Sequence, residues 1–156
     1  MIRLTVIIIL SLFLSGQVSA ADRHAGYYYA KPKKIETYRA RARELPKNSR
    51  ATRLAFINGL TTGLHKRPYT PQYAIFAKGL DAQKMIIVSN FVNQLDTIYR
   101  ARALLATMTA VARRSPIFKQ FKVETILTFF DLAKMLGFKQ ITISDGDKFT
   151  HQVILR

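Results

Sequence analysis

Two side chains of this sequence stand where acid–base chemistry could be done. Asp131 lies inside the apolar run "TILTFFDLAKML", and His151 inside "KFTHQVIL". A carboxylate carried into an apolar core must be paired or hydrogen-bonded. Groups in such surroundings are also the ones whose protonation is tuned for catalysis. An Arg or Lys from the segment 94–114 is the expected partner of Asp131, and a structural pairing is favoured over catalysis. With His151 and an arginine around one pocket, Asp131 would furnish the alternative: a small hydrolase or cofactor-related transferase.

Other chemistries find less support. His24, His65 and His151 have no i, i+4 spacing of the kind zinc sites use, so no metal is expected. His65, followed by Lys66 and Arg67, suits a helix C-terminus, where positive charge is favoured. Asp145 and Asp147 flank Gly146, which reads as a turn before it reads as a cation site. There is no Gly-x-Ser-x-Gly, Ser-x-x-Lys, His-Glu-x-x-His or phosphate loop. The chain has no cysteine, which excludes thiolate ligands, thiol nucleophiles and disulfides. No cofactor is expected.

The charge balance points to binding. The 156 residues hold 25 Lys and Arg against 9 Asp and Glu, a net charge of +16. Such an excess draws polyanions to a surface. The candidate anion-binding residues are Lys31, Lys33, Lys34, Arg39, Arg43, Arg100 and Arg102. Tyrosines interleave with the first of them between Tyr27 and Tyr38, but no segment has the pattern of a nucleic-acid module. An anionic envelope component, or a protein, is the expected partner.

The elements that must position these groups begin after residue 20. Arg3, the apolar stretch "LTVIIILSLFL" and "SGQVSA", with Val18 and Ala20 at −3 and −1, form a secretory signal pattern. Residues 1–20 are read as that signal, 21–34 as a basic, Tyr-rich leader and 35–156 as one domain. Export to the periplasm or beyond is expected, with no membrane span after cleavage. Ile35, Tyr38, Ala42 and Leu45 predict a first helix, stopped by Pro46. A second, capped by Asn48 or Ser49, carries Leu54, Ile57, Leu60 and Leu64; its Gly59 and Gly63 read as a weak last turn or one tight contact. "YAIFAK" and "KMIIVS" read as paired strands. A long helix over 94–114, capped by Asn93, takes Leu95, Ile98, Tyr99, Leu105, Met108 and Ala112 as its stripe. Another is expected over 123–136, stopped by Gly137. "KQITIS" and "KFTHQVIL" close the chain as a hairpin around Asp-Gly-Asp. The fold class is α+β, with helices on a small antiparallel sheet of two hairpins and a helix–strand–strand arrangement occurring twice.

The segments "RPYTPQYAIFAKG", "LDTIYRARALLA" and "TFFDLAKMLGFKQITISDGDKFTHQV" together resemble a group of small exported, chiefly alphaproteobacterial, proteins of unestablished activity. Members sometimes carry the label molybdopterin-guanine dinucleotide biosynthesis protein. The guanylyltransferases of that name open on a Gly-rich nucleotide loop that also bears Arg and Lys. This chain has its signal-like segment there, so the resemblance implies no catalytic residues.

Overall fold

A computed structural model of the chain describes residues 29–32, 34–91 and 93–156. The signal-like segment, the leader as far as residue 28, His24 and Lys33 lie outside the described residues. Five strands and four helices follow in the order β1 (Lys34–Tyr38), α1 (Arg50–His65), β2 (Tyr73–Lys78), β3 (Lys84–Ser89), α2 (Ile98–Ala112), α3 (Pro116–Phe121), α4 (Phe129–Met135), β4 (Gln140–Ser144) and β5 (Thr150–Leu155). The class is α+β, and helix–strand–strand does occur twice.

Both hairpins form. β2 pairs antiparallel with β3, placing Ile75 opposite Ile87, and β4 pairs antiparallel with β5, placing Ile141 opposite Val153. The sheet they build is mixed, however, not antiparallel. Its order is β1-β5-β4-β3-β2, with β3 parallel to β4 and β1 parallel to β5. A parallel neighbour needs a long crossover, and the segment carrying α2, α3 and α4 supplies it between β3 and β4.

Residues at alternate strand positions share a face. Ile75, Met85, Ile87, Ile141, Ile143, Val153 and Leu155 lie on the face that all four helices cover, in one core with Ile57, Leu105, Met108, Phe118, Phe129 and Leu132. Burying each such side chain contributes about 1.5–3 kcal/mol. The opposite face is more polar, with Gln140 donating to Thr142 and Thr150 to Ser144.

The expected first helix is instead strand β1 and an irregular segment. Ile35, Thr37 and Tyr38 favour a pleated strand when an edge is available, and β5 offers one. The stripe still docks: Tyr38, Ala42 and Leu45 pack against the core, while Ile35 is 61% exposed. Backbone bonds from Ala40 to the Arg156 carbonyl (2.7 Å) and from Leu45 to the Met135 carbonyl (2.9 Å) hold the segment down without a helix.

Two helices start later than their apolar periods suggest. α2 is capped by Thr97, whose hydroxyl accepts from the Arg100 amide, because Asn93 takes a left-handed turn at φ 64°. Leu95 reaches the core from that turn, and Tyr99 is 79% exposed. α4 begins after Thr128, where a capping box closes. Ser115 ends α2 and at the same time caps α3, accepting from the Phe118 amide. Gly137 stops α4 region at φ +83°, as its type predicts.

Candidate functional site

The parallel pairing of β1 with β5 sets Lys34 beside His151 and Glu36 beside Val153. Strand alternation then turns Lys34, Glu36 and Tyr38 toward the helix-covered face. Arg102 of α2 completes the cluster. The Glu36 Oε1 receives Lys34 Nζ at 3.1 Å and Arg102 Nη2 at 3.3 Å, and Oε2 faces His151 Nε2 at 3.4 Å. Glu36, Arg102 and His151 border a cleft of about 320 Å³ whose other walls include Tyr38, Leu105 and Phe130.

The hydrogen bond from Lys34 holds the Glu36 carboxyl below its ordinary range, against the opposing effect of burial. Burial pushes the His151 imidazole down, and that outweighs the pull of Glu36. His151 is therefore the neutral partner at pH 7, and Glu36 the ionised one. Facing a carboxylate, Nε2 carries the proton, and Nδ1 is left a bare acceptor, buried and without a hydrogen-bond partner among the described residues.

A pH dependence follows. Between the lowered folded value and the ordinary value near 6.5, the unfolded chain holds the extra proton, so stability falls with acidification there and is fully present above it. Melting temperatures at about pH 5.5 and 7.5, a window above the ordinary carboxylate range, should show this loss, and His151→Gln should flatten it. Equal slopes in both proteins would mean that His151 does not titrate with folding.

Asp131 is fully buried and entirely consumed by local structure. Its Oδ2 accepts the Thr128 amide at 2.8 Å, the Thr128 hydroxyl at 2.9 Å and the Tyr38 hydroxyl at 3.1 Å. Its Oδ1 accepts the Arg41 amide at 2.7 Å. The expected Arg or Lys from 94–114 is not its partner; backbone and hydroxyl donors take that place, since a box at the α4 N-terminus already satisfies a buried carboxylate. The Arg41 guanidinium bonds the Ile126 carbonyl instead. Asp131 and His151 thus serve the same neighbourhood through Tyr38, but they do not form a dyad. The hydroxyls beside the cleft are also committed: Thr109 donates to the Leu105 carbonyl and accepts from the Phe129 amide.

The proposed anion-binding residues do not converge. Lys34 and Arg102 meet at Glu36, and Arg100 bonds Asp96 at 2.8 Å and also the Asn93 carbonyl. Lys31, Arg39 and Arg43 are exposed, with no ion pair among the described residues. Asp145 is a turn residue, as expected, its Oδ1 accepting the amides of Asp147, Lys148 and Phe149.

A second concavity has in its walls Arg100, one of the candidate anion-binding residues, together with Arg67 and Arg114, which the sequence did not single out as a site. α1 lies along β2 and α2 along α4, so the two long helices stay apart over most of their length. The gap is an apolar groove of about 420 Å³, with Phe56, Leu60, Ile75, Met108 and Val111 among its walls and Arg67 and Arg114 at its margins. It continues past Leu64, Arg67, Tyr73 and Thr107 into a cleft of about 650 Å³, where Tyr69, Gln72, Gln94 and Arg100 add polar groups. Among the described residues no Asp or Glu lines either part. Gly59 and Gly63 face the groove, and a Cβ at either would meet no atom within 4 Å, so neither makes the tight contact their spacing suggested. Sequence could not place Arg67 and Arg114 on one groove, because that depends on how far α1 and α2 stand apart. Glu36 was missed for a similar reason. Its only signal was the alternation Lys34-x-Glu36-x-Tyr38, which a helical reading hides.

No family model, curated protein or solved structure matches the chain.

Proposed function

We propose that this is an exported, non-catalytic binding protein that meets an anionic component of the cell envelope through its basic surface. The observation that carries the reading is the concavity between α1 and α2, which has Arg67, Arg114 and the Asp96-paired Arg100 in its walls and no acidic lining residue among the described residues. The net charge of +16 and the signal-like N-terminus support it. The likeness to small exported proteins of unestablished activity belongs to the same reading. Its test is binding to vesicles with and without anionic lipid across a salt series. Affinity for anionic vesicles should fall about tenfold or more between low and several hundred millimolar salt, as screening shortens the reach of each charge. Affinity no greater than that of an unrelated protein of equal charge would end the proposal.

The convergence of His151, Glu36 and Arg102 on one cleft favours a second reading, a small hydrolase or cofactor-related transferase, the molybdopterin-guanine dinucleotide pathway included. A folded His151→Gln protein that complements a deletion strain fully would dispose of it.

A further inference from the structure

We infer that the concavity between α1 and α2 binds one molecule of an anionic single-chain phospholipid, with the alkyl chain in the groove and the phosphate at Arg67. This rests on the binding reading above and names its ligand class and place. The two connected parts differ in character as the two ends of an amphiphile do. The groove is apolar, lined by Phe56, Leu60, Ile75 and Met108. The wider cleft is less apolar, with Tyr69, Gln72 and Gln94 beside Leu95 and Leu104 in its walls. Arg67 belongs to both and stands at the junction. It has no ion pair among the described residues, whereas Arg100 is held by Asp96.

Size selects the ligand. One turn of α-helix, 5.4 Å long and 10–12 Å across, fills on the order of 400–600 Å³, so a groove of about 420 Å³ encloses no more than about one turn of a partner helix. It does fall in the range of small-ligand sites, roughly 300–1,000 Å³. The wider cleft, at about 650 Å³, exceeds what a bare carboxylate would use and suits a phosphate with its polar substituent. A guanidinium can bind phosphate oxygens two at a time.

The glycines make the site testable. Gly59 and Gly63 sit in the interior of α1, where glycine is less stable than other residues, and neither has a neighbour to clash with. Leucine at position 63 should therefore fold at least as well as wild type while intruding on the groove. The experiment titrates purified protein with lauroyl lysophosphatidylglycerol below its micelle concentration, followed by native mass spectrometry and calorimetry. One molecule should bind per chain. Gly63→Leu should weaken binding about tenfold or more with an unchanged or raised melting temperature, and Arg67→Gln should weaken it about tenfold, the worth of a charge-assisted contact. Lauroyl lysophosphatidylcholine and laurate should bind more weakly than the anionic phospholipid. Equal affinity for lysophosphatidylcholine or for laurate overturns the assigned head group. Wild-type affinity in Gly63→Leu overturns the site. If anionic vesicles are still bound in a salt-dependent way in that last case, the general reading stands and only the groove is lost; if neither probe binds beyond a charge-matched control, both fall.

Discussion

Asp131→Ala is expected to lower the stability of this protein by about 3 kcal/mol, the cost of removing one member of a buried charged network. Four donors would lose their acceptor: the amides of Thr128 and Arg41 and the hydroxyls of Thr128 and Tyr38. Two of these belong to the first turn of α4, and two reach across to the end of β1 and the segment after it. The substitution therefore unfastens a helix start and a strand end together. Asp131→Asn should cost less, about 2 kcal/mol, because it keeps an acceptor while turning an N–H₂ toward one of the donor groups. Urea denaturation measures both. A loss below about 1 kcal/mol for alanine would show that the network is not what holds β1 to α4, and would return Asp131 to the list of candidate catalytic groups.

The second large effect is at Gly137, two residues beyond the end of α4. Its φ is +83°, and a Cβ there would lie 2.6 Å from Arg53 Nη1 and 3.0 Å from Asn48 Nδ2. Left-handed backbone costs a residue with a Cβ about 1–2 kcal/mol. The Arg53 guanidinium cannot simply withdraw. It is buried, with Nε donating to the Asp81 carbonyl at 2.8 Å and Nη1 to the Leu136 carbonyl at 3.3 Å. Displacing it strands buried polar groups, about 1–3 kcal/mol more. Gly137→Ala should thus destabilise by about 3 kcal/mol. In an Arg53→Ala background the shortest contact is gone and only those with the Asn48 side chain remain, so the same substitution should cost about 1–2 kcal/mol. Equal costs in the two backgrounds would mean that Arg53 plays no part.

Arg53 also shows where sequence reading stops. Among so many surface cations nothing distinguishes it, yet it joins α1, the β2–β3 turn and the end of α4. The first hairpin was legible to the residue and the second to within two residues at its strand starts, because Val, Ile and Phe cluster between glycine turns and Asp145-Gly146-Asp147 closes the second. Ser49 and Gly137 were legible as helix boundaries for equally local reasons. β1 was not. Ile35, Tyr38, Ala42 and Leu45 do all face inward or pack on the core apart from Ile35, but an edge strand turning into a pinned loop meets that spacing as well as a helix does. The late starts of α2 and α4 turn on Thr97 and Thr128, caps inside runs whose apolar period continues upstream. The parallel joins of β3 with β4 and β1 with β5 have no local signature, and with them went the Glu36 cluster, whose members are drawn from both ends of the domain. Of the candidate site, His151 and Arg102 were anticipated, and Asp131 was rightly singled out as buried and paired but given the wrong partner.

The position of β5 has a kinetic meaning. The last strand of the chain is an interior one, flanked by β4 on one side and by β1, the first, on the other. Until residues 150–155 exist, β1 has no edge to join, Glu36 has no His151, and the backbone bonds between Tyr38, Ala40 and Arg156 cannot form. Contacts that span nearly the whole domain are the slow ones to make. A growing chain therefore leaves β1 without its neighbour until residues 150–155 have emerged, and the sheet closes only once β5 is in place.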